Sequence, residues 1–275
     1  MTSFSPPLQT FLDAAPAVAL VEVTSAKGST PREEGAWMLV SPDAIFGTIG
    51  GGQLEFMAID AARALLAGEG SRHMLDIPLG PEIGQCCGGR VEIGISIADA
   101  VKRNELLRNA KDEDAARPHV YLFGGGHVGR ALSAALSLLP LNVMVVETRE
   151  DALADMPQGV VTRLTPVPEE SVRDAPSGSA FIVLTHDHAL DFLIVAEALK
   201  REDAAYVGMI GSKTKKETLR RWYLKEAGGD ERRFVRVVCP IGGSDVDDKR
   251  PAIIAALVAA EVLRALSVSS GRGSA

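Results

Sequence analysis

The feature that most limits what this chain can fold into is the run VYLFGGGHVGRAL at 120–132. There a short apolar strand signal breaks into Gly124-x-Gly126-x-x-Gly129 and passes directly into a helical pattern. Strand, glycine turn and helix in that order open a Rossmann-type nucleotide-binding sheet. The first glycine permits the tight turn, the second lets a phosphate reach the backbone, and the third lets the helix lie close on the strand. Unpaired N–H groups and the positive end of the helix dipole then receive the anion.

The rest of the second half continues that theme. Strand signals at His119–Phe123, Asn142–Glu147, Phe181–Thr185, Ala205–Ile210 and Val235–Cys239 alternate with helical ones at Val128–Leu139, Leu190–Lys200, Lys213–Lys225 (basic and exposed) and 249–266. Alternation of this kind predicts an α/β fold, a Rossmann-type parallel sheet with helices on both faces. In the last helix Ile254, Val258, Val262 and Leu266 share a stripe, with Glu261 and Arg264 pointing away. The first half is less regular. Strands at Val18–Thr24, Trp37–Val40, Ala44–Gly47 and Arg90–Ile97, with a helix at Leu54–Leu66, suggest a smaller α+β N-terminal domain. The expected division is 1–100 for that domain, 101–118 for a polar helix and linker, and 119–275 for the Rossmann-like domain.

Composition narrows the partners. A formal charge of −7 with no block of Lys and Arg argues against nucleic acid and acidic membrane surfaces, so an anionic ligand has to be held by local geometry. Three cysteines, two of them adjacent, suit a reducing compartment rather than a disulfide framework. The N-terminus lacks a signal-peptide pattern, and the apolar run 251–266 is short for a bilayer and carries charges, so a cytoplasmic protein is expected.

Candidate binding residues gather where strands end. Gly124, Gly126, His127 and Gly129 form the turn; His127 stands where a small residue is more usual, as helix cap or ligand contact. Glu147 closes the next strand, where an acid bonds a ribose hydroxyl, and Arg149 beside it can meet a phosphate. Thr185 and His186 lie in THDH, with Asp187 as helix cap and Asp191 one turn on. His-x-His is metal-ligand chemistry, but no further histidine follows to complete a site, so no metal is assigned. Gly211 and Ser212 open a helix whose Lys213, Lys215 and Lys216 either meet a second anion or form a solvated face. Cys239, at a strand end, reads as core.

The N-terminal region holds three further motifs. Gly28-Ser29-Thr30-Pro31-Arg32 can hold an oxyanion, and 47–55, GTIGGGQLE, is a second candidate anion cradle. Cys86 and Cys87 form a vicinal pair in the loop GQCCGG, as a soft metal ligand, a sulfur carrier or small buried residues.

Taken together, GSTPREEGAWMLV, GTIGGGQLE, GQCCGGRVEIG, FGGGHVGRAL, THDHALD, YVGMIGSKTKK and CPIGGS resemble the XdhC/CoxI family, accessory proteins of xanthine dehydrogenase and related molybdenum hydroxylases. They run in order from residue 28 to residue 244. The resemblance implies a molybdenum cofactor chaperone rather than an enzyme. It would bind the cofactor in its molybdopterin form or as a dinucleotide and shield it. It would support sulfuration with a cysteine desulfurase, and insert the cofactor into an apo-xanthine dehydrogenase or related molybdoenzyme. The cofactor would come from its biosynthesis proteins, and a homodimer is the expected assembly. The pterin phosphate would sit on the glycine turn and the molybdenum near Cys86 or Cys87. The segment SDVDDKR after Gly243 departs from the family's small, apolar loop, which argues against ligand contacts there. Two alternatives use fewer of these motifs: an NAD(P)-dependent oxidoreductase built on the Gly124–Gly129 turn with Glu147, and a sulfur-relay or scaffold protein needing only Cys86 or Cys87.

Overall fold

The computed structural model describes residues 5–69, 73–80, 88–243 and 245–271. It separates into two compact units, 4–113 and 114–275.

In the first unit the elements run α1 (Ser5–Ala14), β1 (Ala19–Lys27), β2 (Trp37–Val40), β3 (Ile45–Gly47), α2 (Gly52–Leu66), β4 (His73–Pro78), β5 (Arg90–Ile97) and α3 (Ala100–Ala116). The strands form an antiparallel sheet in the order β3-β2-β1-β5-β4. Alternation explains how both faces are covered. Ala19, Val21 and Val23 join Met38 and Val40 beneath α2, while Leu20 and Leu39 face the other way, toward Leu8 and Leu12 of α1 and Leu106 and Ala110 of α3. Arg103 of α3 fastens that second layer by donating to the carbonyls of Leu12, Ala15 and Pro16, which close the end of α1. α1 and β4 were not legible in the sequence. Two prolines open α1, and β4 is an edge strand that ends in Pro78.

The second unit runs β6 (His119–Phe123), α4 (His127–Leu136), β7 (Asn142–Glu147), a 3-10 turn at Asp151–Leu153, β8 (Val161–Leu164), α5 (Glu169–Arg173), β9 (Ala180–Val183) and α6 (His188–Lys200). It ends with β10 (Tyr206–Met209), α7 (Lys213–Lys225), α8 (Glu231–Phe234), β11 (Val237–Val238) and α9 (Pro251–Gly271). The sheet is parallel in the order β11-β10-β9-β6-β7-β8. Counted from β6 as the first strand, this is the doubly wound dinucleotide-fold order, and the strand order reverses between β6 and β9. The alternation within β6 shows why helices cover both faces. Tyr121 and Phe123 pack with Ile194, Val195 and Leu219 of α6 and α7, whereas Val120 and Leu122 pack with Leu132 of α4 and Val258 and Val262 of α9.

β8 was also missed by sequence reading. It is an edge strand whose Val161 and Leu164 are exposed, so it lacks the buried apolar run that marks a central strand. α9 extends to Gly271, past the apolar run read from the sequence. Among the described residues it is the one helix long and apolar enough to cross a membrane, and its Ala255, Val258, Val262 and Leu266 are buried against the sheet.

Candidate functional site

The glycine turn sits at the carboxyl end of β6, beside the point where the strand order reverses. Its glycines do different work. Gly124 has φ 122° and donates its N–H to the Val146 carbonyl at 2.9 Å; a Cβ there would stand 2.6 Å from the Leu184 carbonyl oxygen. At Gly129 a Cβ would come within 2.0 Å of the Gly124 carbonyl oxygen, so this glycine sets how closely α4 approaches the turn. Gly126 is the N-cap of α4, with no side chain capping it, and a Cβ added there meets no non-neighbouring atom within 4 Å. The first amides of α4 have no intrahelical acceptors, so an open, uncapped helix start faces solvent. His127 is exposed beside it.

Glu147 stands at the end of β7, and its carboxylate is engaged within the chain. Its side chain is 5% exposed, and both oxygens are already engaged. Oε2 accepts the Gly125 N–H at 2.9 Å. Oε1 accepts the N–H groups of Thr148 and Arg149 at 2.9 and 3.2 Å, and the Arg149 guanidinium lies against the carboxylate. Burial pushes this carboxyl up, but the Gly125 N–H, the Arg149 guanidinium and the Thr148 N–H outweigh it and hold it below the usual carboxylate range. A depressed folded-state pKa stabilises the fold above the unfolded value, and that stability is lost as pH falls through the folded value. Glu147→Gln is therefore expected to cost about 1–3 kcal/mol at neutral pH and to flatten the acid limb of a denaturation profile. An unchanged acid limb would show that the carboxylate contributes nothing to the turn.

At the end of β9, Asp187 caps α6 by accepting from Ala189 and Leu190, at 2.8 and 3.4 Å. The Thr185 hydroxyl lies 2.7 Å from Asp191 Oδ1 and 2.8 Å from the Asp187 carbonyl, so it is committed to the loop. His186 and His188 are exposed. Among the described residues no three His, Cys, Asp or Glu side chains gather as a metal ion needs. Asp191 is fully buried and meets the Lys215 ammonium at 2.5 Å, joining α6 to α7. That corrects the reading of α7 as an exposed basic helix. Lys215 is an interior cation, Lys216 donates to the Val237 carbonyl at 2.7 Å, and only Lys213 of the three is exposed. Ser212 caps α7 by accepting the Lys215 N–H.

A cavity of about 640 Å³ opens at this carboxyl edge, on the β10–β11 side of the turn. Its walls are Val128 of α4, Ile210, Gly211 and Ser212 after β10, Pro240–Gly243 after β11, and Ile254 and Leu257 of α9. The helices α4, α7 and α9 thus all present their N-terminal ends to it. Val246, Asp247, Asp248 and Lys249 also line it, so the acidic segment that argued against ligand contacts stands at the rim. Glu261, expected to point away from the sheet, instead accepts the Gly242 N–H at 2.5 Å and fixes one wall. Sequence reasoning missed Val128, Ile254 and Leu257, because an apolar residue in a helix's first turns carries the same signal whether it lines a pocket or a core. Cys239 is 8% exposed in the core, and burial pushes its thiol up.

In the first unit the loops 28–32, 48–51 and 88–89 meet. A Cβ at Gly50 would stand 2.5 Å from the Pro31 side chain, and one at Gly89 would stand 2.3 Å from the Ser29 carbonyl oxygen. The anion cradle expected at 47–55 holds an anion from its own chain. Glu55 Oε2 accepts the Thr48 hydroxyl at 2.6 Å and the Ile49 and Gly51 N–H groups, each at 3.1 Å. Glu55→Ala is expected to cost about 1–3 kcal/mol in thermal or urea denaturation, since three donors lose their acceptor; a loss under a few tenths would contradict this role. Beside it, a cavity of about 590 Å³ is lined by Arg32, Glu33, Glu34, Trp37 and Thr48. Cys86 and Cys87 lie outside the described residues.

With this geometry in view, the comparisons decide the family. The XdhC Rossmann domain matches residues 120–262, and the XdhC and CoxI family matches residues 11–78. The chain belongs to the XdhC and CoxI family. The uncharacterized protein YqeB of Escherichia coli (strain K12) is 26% identical over 270 residues, covering 92% of this chain and 44% of that protein. The chain thus spans less than half the length of this curated relative. A crystal structure described as a xanthine dehydrogenase from Bacillus halodurans has the same fold, with a TM-score of 0.80 at 17% identity, over 97% of this chain and 96% of that one. Both the α/β Rossmann unit and the antiparallel N-terminal sheet therefore have a relative among solved structures.

Proposed function

We propose that this protein is an accessory protein of molybdoenzyme maturation: it binds the molybdenum cofactor through the second unit, shields it, and passes it to an apo-xanthine dehydrogenase or a related molybdenum hydroxylase. One observation carries the reading. Val128, two residues past the uncapped Gly126 that opens α4, lines an apolar-walled cavity of about 640 Å³. That volume lies within the roughly 300–1,000 Å³ of small-molecule pockets.

The residues fit the group in two respects. A Cβ at Gly126 would fill the one open point of the turn, which is the approach a phosphate needs. Ile210, Ile241, Ile254 and Leu257 offer apolar surface to a flat heterocycle, with the backbone of Gly211 and Gly243 supplying polar groups. When bound, the cofactor supplies a molybdenum centre held by its own dithiolene. The protein's part is to hold the phosphate, cover the ring and exclude water. Cys86 and Cys87 remain the proposed sulfur ligands or carriers, with a cysteine desulfurase as the sulfur source. A homodimer in the cytoplasm is the proposed setting.

A hydride-transferring enzyme on the same turn is disfavoured by Glu147, whose carboxylate is taken up by Gly125, Thr148 and Arg149. The test is anaerobic purification from a cofactor-making host, followed by oxidised-pterin fluorescence and molybdenum assay. The reading predicts pterin and molybdenum in near-equal amounts. A nicotinamide nucleotide retained with no pterin would replace it with the oxidoreductase. C86A and C87A variants that load and deliver cofactor like wild type would remove the thiols from the mechanism.

A further inference from the structure

We infer that the cleft is one-armed: it takes the cofactor as a monophosphate, with one ring system, and discriminates against the dinucleotide form. This rests on the proposed cofactor reading and deepens it. A doubly wound sheet that binds a dinucleotide uses both sides of the strand reversal, one mononucleotide on each, with the acid after the second strand holding the first ribose. Here that acid is Glu147, and the side it belongs to is closed.

Three observations close it. The Glu147 oxygens accept from Gly125, Thr148 and Arg149 N–H groups and carry the Arg149 guanidinium, leaving 5% of the side chain exposed. A carboxylate has about four lone-pair positions, and those donors use them. A ribose hydroxyl would have to displace one of them, either the Arg149 guanidinium or a backbone N–H. Next, the segment after β7 folds back over the turn: a Cβ on Gly125 would stand 2.5 Å from the Ala152 carbonyl oxygen and 3.0 Å from the Met156 methyl. That segment is fastened to α4 by Arg130–Asp155 at 3.2 Å and by the Ser133 hydroxyl against the Met156 sulfur at 3.7 Å. Finally, the cavity at the carboxyl edge draws its walls from α4, the β10 and β11 ends and α9, and none from β7 or from 148–156.

The open arm therefore runs from Val128, near the start of α4, toward Ile241 and Leu257. A phosphate at one end and a single heterocycle at the other match it. A second nucleotide, joined through a pyrophosphate, would have to leave the turn on the side that Glu147, Ala152 and Met156 occupy.

The experiment compares the two forms on the intact chain. Molybdenum cofactor in its monophosphate form and in its cytosine dinucleotide form, each released anaerobically from a donor molybdoenzyme, is equilibrated with the protein and desalted. Retained pterin is read by fluorescence after oxidation. The expected result is retention of the monophosphate form at about one per chain, with the dinucleotide at least about tenfold weaker. Equal or tighter binding of the dinucleotide overturns the one-armed cleft while leaving the cofactor reading intact. Retention of neither form overturns both. Leu257→Trp, on the half-buried flank of α9, fills the open arm and should lose the monophosphate form with the denaturation midpoint unchanged. Wild-type retention in a folded L257W protein would show that the cavity is not the arm used.

Discussion

Replacing Asp191 by alanine should destabilise the second unit by about 3–5 kcal/mol, the cost of leaving a buried charge without its partner. The carboxylate is fully buried. It accepts the Thr185 N–H at 3.1 Å, lies 2.7 Å from the Thr185 hydroxyl, and meets the 11%-exposed Lys215 ammonium at 2.5 Å. Once Asp191 is gone, Lys215 keeps the Ile210 carbonyl at 3.0 Å as its remaining partner, and the Thr185 amide loses its acceptor. In a unit of this size the loss corresponds to a midpoint lower by roughly 6–20 °C. A double variant, Asp191→Leu with Lys215→Met, should recover much of it, because two apolar groups can replace a buried pair at little cost. Thermal denaturation of the wild type and the two variants checks both statements. An Asp191→Ala loss below about 1 kcal/mol, the scale of a surface pair, would contradict the buried geometry. The pair spans the ends of β9 and β10 through α6 and α7, so its loss should also loosen Ile210–Ser212, one wall of the cavity.

The second large effect separates the glycines of the turn. Gly126→Val should reduce retained cofactor at least about tenfold, the scale of losing one charge-assisted contact set, while leaving the denaturation midpoint near wild type. Space around Gly126 is open and its φ of −67° is available to any residue, so the fold tolerates the side chain and the ligand does not. Gly129→Ala should do the reverse. Its methyl would collide with the Gly124 carbonyl oxygen at 2.0 Å and push α4 from the sheet, lowering stability by about 1–3 kcal/mol or more whether or not ligand is present. Paired melts and pterin retention on both variants distinguish the roles. A folded Gly126→Val protein that retains cofactor like wild type would remove the turn from the binding site.

The sequence was most informative where one physical constraint acts alone. The GxGxxG turn, the boundaries of β6 and β7 and the buried stripe of α9 are set by backbone geometry and by apolar periodicity, and both are written locally. β4 and β8 were illegible because edge strands bury only one side of their ladder and tolerate Pro78, Thr162 or Arg163. For charged residues, local reading could not supply the partner inside the fold. Glu55, Glu147, Lys215 and Glu261 each satisfy backbone or buried groups contributed by other parts of the chain, Glu55 and Glu147 by the loops beside them and Lys215 and Glu261 by distant elements. The fold shows which donor or acceptor each charge meets, and that pairing is not written locally. The cavity followed the same rule. Gly211, Ser212 and the Pro240–Gly243 turn were visible as strand-end clusters, whereas Val128, Ile254 and Leu257 acquire their role only when α4 and α9 are brought side by side.

A crystal structure of the protein with bound molybdenum cofactor would locate the phosphate and the pterin directly. The phosphate is expected within hydrogen-bond distance of the amides that open α4 at Gly126–Val128, with the pterin lying against Ile241 and Leu257. A phosphate bound elsewhere, with the start of α4 left to solvent, would contradict this placement.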